Sequence, residues 1–431
     1  MENESFFNIE KSVKKDKPKN LNFVAGLLCF VLLIFILLVA LVQDEEVKGC
    51  NPGCGILSGD HNMYDGGTNH TQPIAKSDGI IDIKWSYEGE YPRGNQDNAG
   101  TMYKNKLFST GGFCGGCKAP YFCDGRDFYN DTYLYDTTLK EWEQVEDMPG
   151  INRQGHKCEN INDQVYCWGG FSYTAPYSHS DGYKYNGSWS RLPDLPTNFT
   201  AALQMTSCNN IIYFLEGGYY NYRMFFTSNK FYKFDGQWIE LADMPGTPRW
   251  STDITCYDNK IYLLGGVSGQ ENKGSTLEGS NDKLYKTVID NWVYDIQLNT
   301  WTRLPDTPFV LGNWMFQILY DKYILLIGGA GYHEVETNHT NVNIPSNLNH
   351  QHSPLNSNYF NDYLFTNAVY LFDTDTYQFN QSTPLPFDWN GATAWLKDKH
   401  LYLNAGEAGT VCWNDKLVSR HPSVVLKGTI L

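Results

Sequence analysis

The chain has 431 residues, of which 15% are aromatic, and a formal net charge of −15. That length exceeds what one simple core fills, so the chain contains several domains or one array of repeats. The acidic charge argues against nucleic-acid binding, which needs clustered Lys and Arg, whereas the aromatic content and 39 glycines favour short strands and tight turns.

The first segment of the chain predicts a membrane anchor. Residues 21–42 form an uncharged run of 22 residues, long enough to cross a bilayer as a helix. Lysines precede this run and acidic residues follow it, so the N-terminus is expected in the cytosol. We predict a cytosolic tail at 1–20, a transmembrane signal-anchor helix at 21–43 and a stalk at 44–79. A cleaved signal peptide is the alternative, but the run is longer than a usual apolar region and lacks a small-x-small cleavage site.

This topology is that of a single-pass type II membrane protein of the cell surface or the secretory pathway. Ten of the 11 cysteines follow the apolar run, where disulfides are expected in an oxidising compartment. Six Asn-x-Ser/Thr sequons also lie beyond it and predict glycosylation. These sequons begin at Asn69, Asn130, Asn186, Asn198, Asn338 and Asn380.

Beyond the stalk, an aromatic residue is followed 27 to 29 residues later by the second residue of a double glycine or a close variant of it. Recurrence at a period near fifty residues indicates stacked units that cannot bury their apolar faces alone. The six pairs are Trp85 with Gly111/Gly112, Trp142 with Gly169/Gly170, Trp189 with Gly217/Gly218, Trp238 with Gly265/Gly266, Trp301 with Gly328/Gly329, and Phe379 with Ala405/Gly406.

Each repeat predicts four strands. In the third repeat an apolar run at 211–215 ends at the glycines, a second run follows at 231–234, and Trp238 begins a further strand. With a short leading strand, each unit forms one propeller blade. We therefore predict an all-β, six-bladed propeller at 80–431. Because Trp85 precedes any glycine pair and the last repeat lacks a final strand, the first strand is expected to complete the last blade.

These motifs resemble the kelch family, whose blades combine a strand ending in Gly-Gly, a Tyr/Phe-x-(Asp) strand and a following Trp. Tyr294-Asp295 with Trp301 is one such copy. The resemblance covers about residues 80–431 and implies the kelch-type β-propeller. Phe379 in place of Trp and Ala405 in place of Gly depart from the pattern.

The loops between the repeated motifs predict a binding face. Distances from glycine pair to next aromatic residue vary from 19 to 50 residues, and insertions of this kind collect on one face of a repeat protein. Aromatic rings beside Arg, His and Asn suit a glycan or a protein ligand, although such aromatics also pack between blades. The predicted ligand-binding residues are Arg153, His156, Tyr219, Tyr222, Arg223, Arg249, Trp250, Trp314, Tyr332 and Trp389.

A cysteine cluster in the first glycine loop comprises Cys114, Cys117 and Cys123. Such spacing suits a redox pair or a metal site, but outside the cytosol a structural disulfide is the better interpretation. The His-rich insertion at 331–361 has no regular ligand spacing. We therefore expect neither a bound metal nor a cofactor.

Two further cysteine pairs are separated by strands. Cys158 and Cys167 flank the turn 160–163, so they are predicted to lie opposite each other on a hairpin and to form a disulfide. Cys208 and Cys256 occupy equivalent positions in adjacent blades. They are either two buried thiols or one disulfide between blades.

The function indicated by these features is a membrane-anchored binding module rather than an enzyme. Two enzyme classes with similar propellers remain as alternatives. A copper enzyme resembling galactose oxidase needs two His, two Tyr and a Tyr-linked Cys, and the sequence shows no such set. A sugar-modifying enzyme resembling sialic acid mutarotases needs a Glu acid/base beside an Arg, and Glu407 is the candidate catalytic residue, with Glu334 as a substitute.

Overall fold

A computed structural model describes residues 77–115, 126–221, 224–268, 271–272, 286–308, 316–332, 335–336, 363–408, 411–413, 416–418 and 421–431. The regular structure of these residues is entirely β. None of the described segments forms a helix long and apolar enough to cross a membrane. The predicted tail, anchor and nearly all of the predicted stalk lie outside the described residues.

The described residues form six four-stranded antiparallel sheets, which confirms the predicted six-bladed propeller. From the innermost to the outermost strand, blade 1 consists of Ala99–Tyr103, Lys106–Gly115, Arg126–Asp136 and Glu141–Val145; blade 2 of Gln154–Ile161, Gln164–Phe171, Gly182–Tyr185 and Trp189–Leu192; blade 3 of Gln204–Cys208, Ile211–Leu215, Phe231–Phe234 and Trp238–Glu240; blade 4 of Ile254–Tyr257, Lys260–Leu263, Asn291–Asp295 and Thr300–Leu304; blade 5 of Phe316–Tyr320, Tyr323–Ile327, Val369–Asp373 and Phe379–Gln381; and blade 6 of Thr393–Lys397, His400–Asn404, Val424–Ile430 and Ile83–Glu90.

Short strands in the loops after the glycine pairs form additional small sheets. Two of these sheets join the loops of neighbouring blades, since they combine strands from blades 3 and 4 and from blades 4 and 5. The short strands are Gly218–Tyr220, Met224–Thr227 and Glu271–Asn272; Val267–Ser268, Lys286–Val288 and Val335–Glu336; Ala330–Tyr332 and Tyr363–Phe365; Trp389–Asn390 and Glu407–Ala408; and Val411–Trp413 and Lys416–Val418.

The ring closes through strands from both ends of the described chain. Strand Ile83–Glu90 pairs antiparallel with Val424–Ile430 and so completes blade 6, as predicted. Trp85 lies opposite Gly428 in this register. The innermost strands of the six blades contact one another in a closed cycle. Closure leaves no inner sheet edge open to pairing with another chain.

The aromatic residue of each outermost strand packs against the preceding blade. Trp238 of blade 3 lies 5.1 Å from Trp168 of blade 2, and Trp301 of blade 4 lies 5.1 Å from Phe231 of blade 3, measured between ring centroids. Edge-to-face ring pairs of this kind add about 0.5–1.5 kcal/mol to the burial of their area. The aromatic residue of the repeat thus packs one blade against the next.

The glycine half of the repeat has a conformational role. Gly265 and Gly266 have φ values of 64° and 130°, in the left-handed region that side chains other than glycine disfavour. Ala405 adopts φ 63° at the equivalent position of blade 6. The departure from Gly-Gly in the last repeat therefore changes the residue but keeps the backbone shape.

Disulfides connect strands within and between blades. The predicted bond Cys158–Cys167 is present in the first hairpin of blade 2. Cys208 and Cys256 form a bond between the innermost strands of blades 3 and 4, which settles the alternative left open by the sequence. Cys114 is also disulfide-bonded, whereas Cys117 and Cys123 lie outside the described residues.

Four of the six sequon asparagines are described, and they differ in their surroundings. Asn186 and Asn198 are exposed and Asn380 is half-buried. The Asn130 amide donates a hydrogen bond to the Met148 carbonyl, N–O 3.0 Å, which fixes the turn that ends blade 1. Asn69 and Asn338 lie outside the described residues. Glycosylation at all six remains a prediction.

Candidate functional site

A left-handed residue lies at the start of the innermost strand, or just before it, in five blades. Asp97, Gly155, Ala202, Ser251 and Gly391 have φ values of 50°, 63°, 48°, 56° and 67°. All five line one cavity of about 210 Å³ at the end of the central channel where these strands begin. The corresponding segment of blade 5, residues 309–315, lies outside the described residues. The repeated backbone turn thus builds the rim of the cavity.

Two carboxylates line the cavity. Glu407 follows the glycine pair of blade 6 and lies opposite Asn390 in the small sheet of that loop. Asp97 belongs to the loop leading into blade 1, and a Cβ placed on Gly391 would lie 2.9 Å from Asp97 Oδ1. Glycine at 391 therefore lets the Asp97 carboxylate approach the backbone of blade 6.

Asp97 is poised between its acid and base forms. Burial raises the pKa of Asp97 to about 7, and the negative charge of Glu407 adds to this effect while the Lys157 ammonium opposes it. A carboxyl group with such a pKa is both a proton donor and a proton acceptor at neutral pH. This property is what acid–base chemistry requires, and it also allows either kind of hydrogen bond to a hydroxyl group.

The inner strand of blade 2 supplies two nitrogen-bearing side chains. His156 is 2% exposed, and neither of its ring nitrogens has a hydrogen-bond partner among the described residues. Burial, reinforced by the charge of Arg153, lowers the pKa of His156 to about 3, so the ring is neutral. Lys157 pairs with Asp253 of blade 4, Nζ–Oδ2 3.0 Å. A neutral imidazole can donate through one nitrogen and accept through the other.

Two aromatic rings complete the lining. Phe171 directly follows the glycine pair of blade 2, and Trp250 lies in the segment that leads into blade 4. Trp250 is held by backbone pairing with Val267, so its position is set by the glycine loop of its own blade. Both rings are half-buried. The cavity therefore combines polar groups with flat apolar surfaces.

The structure brings three of the predicted residues together in this cavity, namely His156, Trp250 and Glu407. Tyr219 is half-buried and packs against Phe199, with 5.9 Å between ring centroids. Tyr332 ends the strand Ala330–Tyr332, and its side chain is outside the described part of the chain. Tyr222, Arg223, Trp314 and Glu334 lie outside the described residues.

The other three predicted residues bind the backbone of their own blades and do not line the cavity. Each donates a side-chain hydrogen bond to the carbonyl 16 residues later, at the first position of the glycine pair, and Asn95 does the same in blade 1. The donor and acceptor pairs are Asn95 with Gly111, Arg153 with Gly169, Arg249 with Gly265, and Trp389 with Ala405. This shared geometry gives Arg153, Arg249 and Trp389 a structural role, and we leave them out of the proposed site.

Sequence reasoning missed Asp97 and Lys157. Asp97 could have been found from the repeat. In four blades the left-handed residue of the rim comes two positions after the side chain that bonds the glycine-pair carbonyl, which is Asn95, Arg153, Arg249 or Trp389. Lys157 carries no comparable repeat signal, because its position in the channel depends on which face of the inner strand points inward.

A metal centre has no support from the described side chains. No group of three or more His, Cys, Asp or Glu residues among them is arranged to hold a metal ion. His156, Asp97 and Glu407 line one cavity but do not form such a group.

Comparison with known proteins supports the fold. No protein-family model and no curated protein sequence matches the chain. The solved structure of YjhT is similar, with a TM-score of 0.54 and 16% sequence identity over 79% of this chain and 99% of that one. Identity this low supports the propeller architecture and assigns no residue a function.

Proposed function

We propose that this chain is a kelch-type binding module whose central cavity takes a carbohydrate. The observation that carries the proposal is the lining of the cavity, where four blades contribute two carboxylates, a neutral imidazole, two asparagines and two aromatic residues. Hydroxyl groups of a sugar both donate and accept hydrogen bonds, which this set can satisfy. The C–H faces of a sugar ring can pack on Phe171 and Trp250.

The size of the cavity favours a small ligand over a protein surface. At about 210 Å³ it is smaller than the roughly 300–1,000 Å³ sites that enclose drug-sized molecules. A protein partner would have to insert a single side chain or dock elsewhere on the ring. We therefore place a protein ligand second to a carbohydrate.

We also propose that the propeller is held outside the cytosol by the predicted signal anchor. Two disulfides in the described residues, Cys158–Cys167 and Cys208–Cys256, support an oxidising compartment. The kelch assignment is supported by the four-stranded blades, each with its glycine pair or variant.

The binding proposal is tested with a glycan array probed by the purified full chain and by Glu407→Gln. We expect a restricted set of sugars to bind the wild type and Glu407→Gln to lose most of that binding. Glu141→Gln is the control, since Glu141 is exposed on the outermost strand of blade 1. Equal binding by all three proteins, or no binding by the wild type, would reject the proposal.

A second function is a sugar-modifying enzyme, and the paired carboxyl groups favour it. Asp97, whose pKa of about 7 lets it hold a proton near neutral pH, would donate that proton to the ring oxygen while Glu407 accepts one from the anomeric hydroxyl group. The bond between the anomeric carbon and the ring oxygen breaks to give the open-chain carbonyl form. The ring closes on the other face of that carbonyl as both protons return, so the anomers interconvert without a net change in protons. Arg153 and Arg249 hold ion pairs within their own blades, whereas Lys157 lines the cavity while paired with Asp253, so Lys157 is the cation that a substrate carboxylate would meet there.

Anomer equilibration followed by NMR separates the two functions. An enzyme accelerates equilibration of a bound sugar, and Asp97→Asn and Glu407→Gln each remove the acceleration. A binding module leaves the rate at its spontaneous value.

A further inference from the structure

A row of aromatic side chains leads from the cavity to the surface, and we call it the aromatic shelf. It consists of Phe171, Tyr173, Tyr177 and Tyr220, from the glycine loops of blades 2 and 3. Tyr220 lies 5.4 Å from Phe171, 6.2 Å from Tyr173 and 6.4 Å from Tyr177, between ring centroids. Phe171, Tyr177 and Tyr220 pack with Ala201 in a cluster separate from the blade cores, and Tyr173 contacts this cluster through Tyr220.

The shelf begins in the cavity. Phe171 lines the cavity and also packs on Tyr220, so its ring belongs to both. Trp250, on the next part of the cavity wall, packs against the same cluster. A ligand that fills the cavity and extends outward on this side would therefore pass over the shelf.

The outer end of the shelf is exposed. Tyr173 is 42% exposed and is the one aromatic side chain among the exposed large hydrophobic residues of the described structure. Two rings from blade 1 support it, since Phe128 lies 4.8 Å and Phe113 lies 5.9 Å from its centroid. An aromatic ring held in place and open to solvent is a typical contact for a ligand.

The loop that carries these rings has a fixed shape. Its ends are joined by a hydrogen bond from the Ser172 amide to the Tyr177 carbonyl, N–O 2.8 Å. Tyr177 has a φ of 68°, a conformation that is rare for a bulky residue and often marks a functional site. The shelf is thus set in position before any ligand arrives.

We propose that the aromatic shelf binds the second and third rings of an oligosaccharide whose terminal ring occupies the cavity. This inference rests on the proposed carbohydrate function. A cavity of about 210 Å³ has room for one sugar-sized unit, so further units must lie outside it. Flat aromatic rings suit the apolar faces of those units. The ligand is then an oligosaccharide chain rather than a free monosaccharide.

The test uses isothermal titration calorimetry of the full chain with a mono-, di- and trisaccharide that share the terminal sugar found on the array. We expect affinity to rise by about 2- to 10-fold for each added ring, the gain typical of one aromatic contact. Tyr173→Ala should remove the gain of the outermost ring and leave monosaccharide affinity unchanged. Tyr173→Phe should keep the gain, because it keeps the ring.

Two control variants distinguish a lost ligand contact from a folding defect. Tyr173→Leu preserves apolar packing against Phe128 but lacks a flat ring, so it should behave like Tyr173→Ala. Leu298→Ala changes another exposed apolar residue on the outer part of blade 4 and should have no effect.

The outcomes separate this inference from the proposed function. If the monosaccharide binds and longer sugars bind no tighter, or if Tyr173→Leu keeps the full gain, the shelf is not a binding site although the cavity is. If no saccharide binds, both proposals are wrong. The same holds if the chain binds only peptides.

Discussion

Arg153 and Asp181 form a buried bidentate ion pair inside blade 2. Arg153 Nη1 lies 2.6 Å from Asp181 Oδ1 and Nη2 lies 2.7 Å from Oδ2, while the arginine side chain is only 2% exposed. Blade 4 repeats the arrangement with Arg249 and Asp290, Nη2–Oδ2 2.8 Å. Each guanidinium thus connects a glycine carbonyl, through a hydrogen bond, with the third strand of its own blade, through the ion pair.

Removal of this guanidinium should destabilise the fold strongly. We expect Arg153→Ala to lower the free energy of unfolding by about 3–5 kcal/mol, since it leaves the Asp181 carboxylate without its partner. Urea denaturation measures the loss. Arg191→Ala, which breaks an exposed ion pair with Asp194, should cost less than about 1 kcal/mol. A small loss for Arg153→Ala combined with weakened ligand binding would return Arg153 to the binding site.

The propeller was predictable because its signals are local and repeated. In five of the six blades the glycine pair or its variant has a left-handed backbone at a nearly constant distance from an aromatic residue, and both features depend on single residue types. The first copy was equally informative. Because Trp85 precedes every glycine pair, it predicted that the first strand completes the last blade.

The site was only partly predictable because side-chain type does not reveal direction. Arg153 and His156 are three residues apart in sequence, yet one bonds its own blade and the other lines the cavity. The pKa of Asp97 is raised first by burial and then by Glu407, which is distant in the chain and becomes a neighbour only when the ring closes. Contacts between separate blades of this kind are absent from any local pattern.

The ionisation of Asp97 should make stability depend on pH. Because the folded pKa of about 7 lies above the unfolded value near 4, the folded state binds more protons between these values, and stability falls as pH rises through that window. Asp97→Asn removes this loss. The free energy of unfolding of the variant, measured relative to wild type, should therefore be higher at pH 8 than at pH 4 by up to about 4 kcal/mol. Asn tolerates the left-handed backbone at this position.

Thermal or urea unfolding at pH 4, 6 and 8 measures the difference between the two proteins. Asp147→Asn serves as the control, since Asp147 is exposed on the outer part of blade 1. A difference between Asp97→Asn and wild type that stays constant across the three pH values would contradict the elevated pKa.

The two described disulfides should contribute unequally to stability. Cys208–Cys256 closes a segment with a sequence separation of 48, and Cys158–Cys167 one with a separation of 9. In the chain-entropy treatment a longer loop gives more stabilisation, here by about 1.5 kcal/mol. We expect the double variant Cys208→Ala/Cys256→Ala to unfold at lower denaturant than Cys158→Ala/Cys167→Ala. The reverse order would show that local interactions around the Cys158–Cys167 bond outweigh the difference in loop entropy between the two disulfides.

The last prediction concerns the pairing that closes the ring. Gly428 lies opposite Trp85, and a Cβ at 428 would lie 2.5 Å from Trp85 Cζ3 and 2.8 Å from Ile83 Cγ2. Gly428→Val therefore forces the indole away and should destabilise the protein by about 1–3 kcal/mol. Because the clash falls on the first strand, limited proteolysis should cut within Ile83–Glu90 faster than in wild type.

The partner residue provides the control for this closure. The leucine side chain is smaller than the indole and leaves room for a valine at position 428. The double variant Trp85→Leu/Gly428→Val should therefore be more stable than the sum of the two single effects predicts. Lys427→Val places the same branched residue on the neighbouring position of the strand, opposite Ser86, where the side chain already carries a Cβ. If Gly428→Val and Lys427→Val behave alike, the indole does not rest on the glycine, and the closing strand is held by its backbone pairing alone.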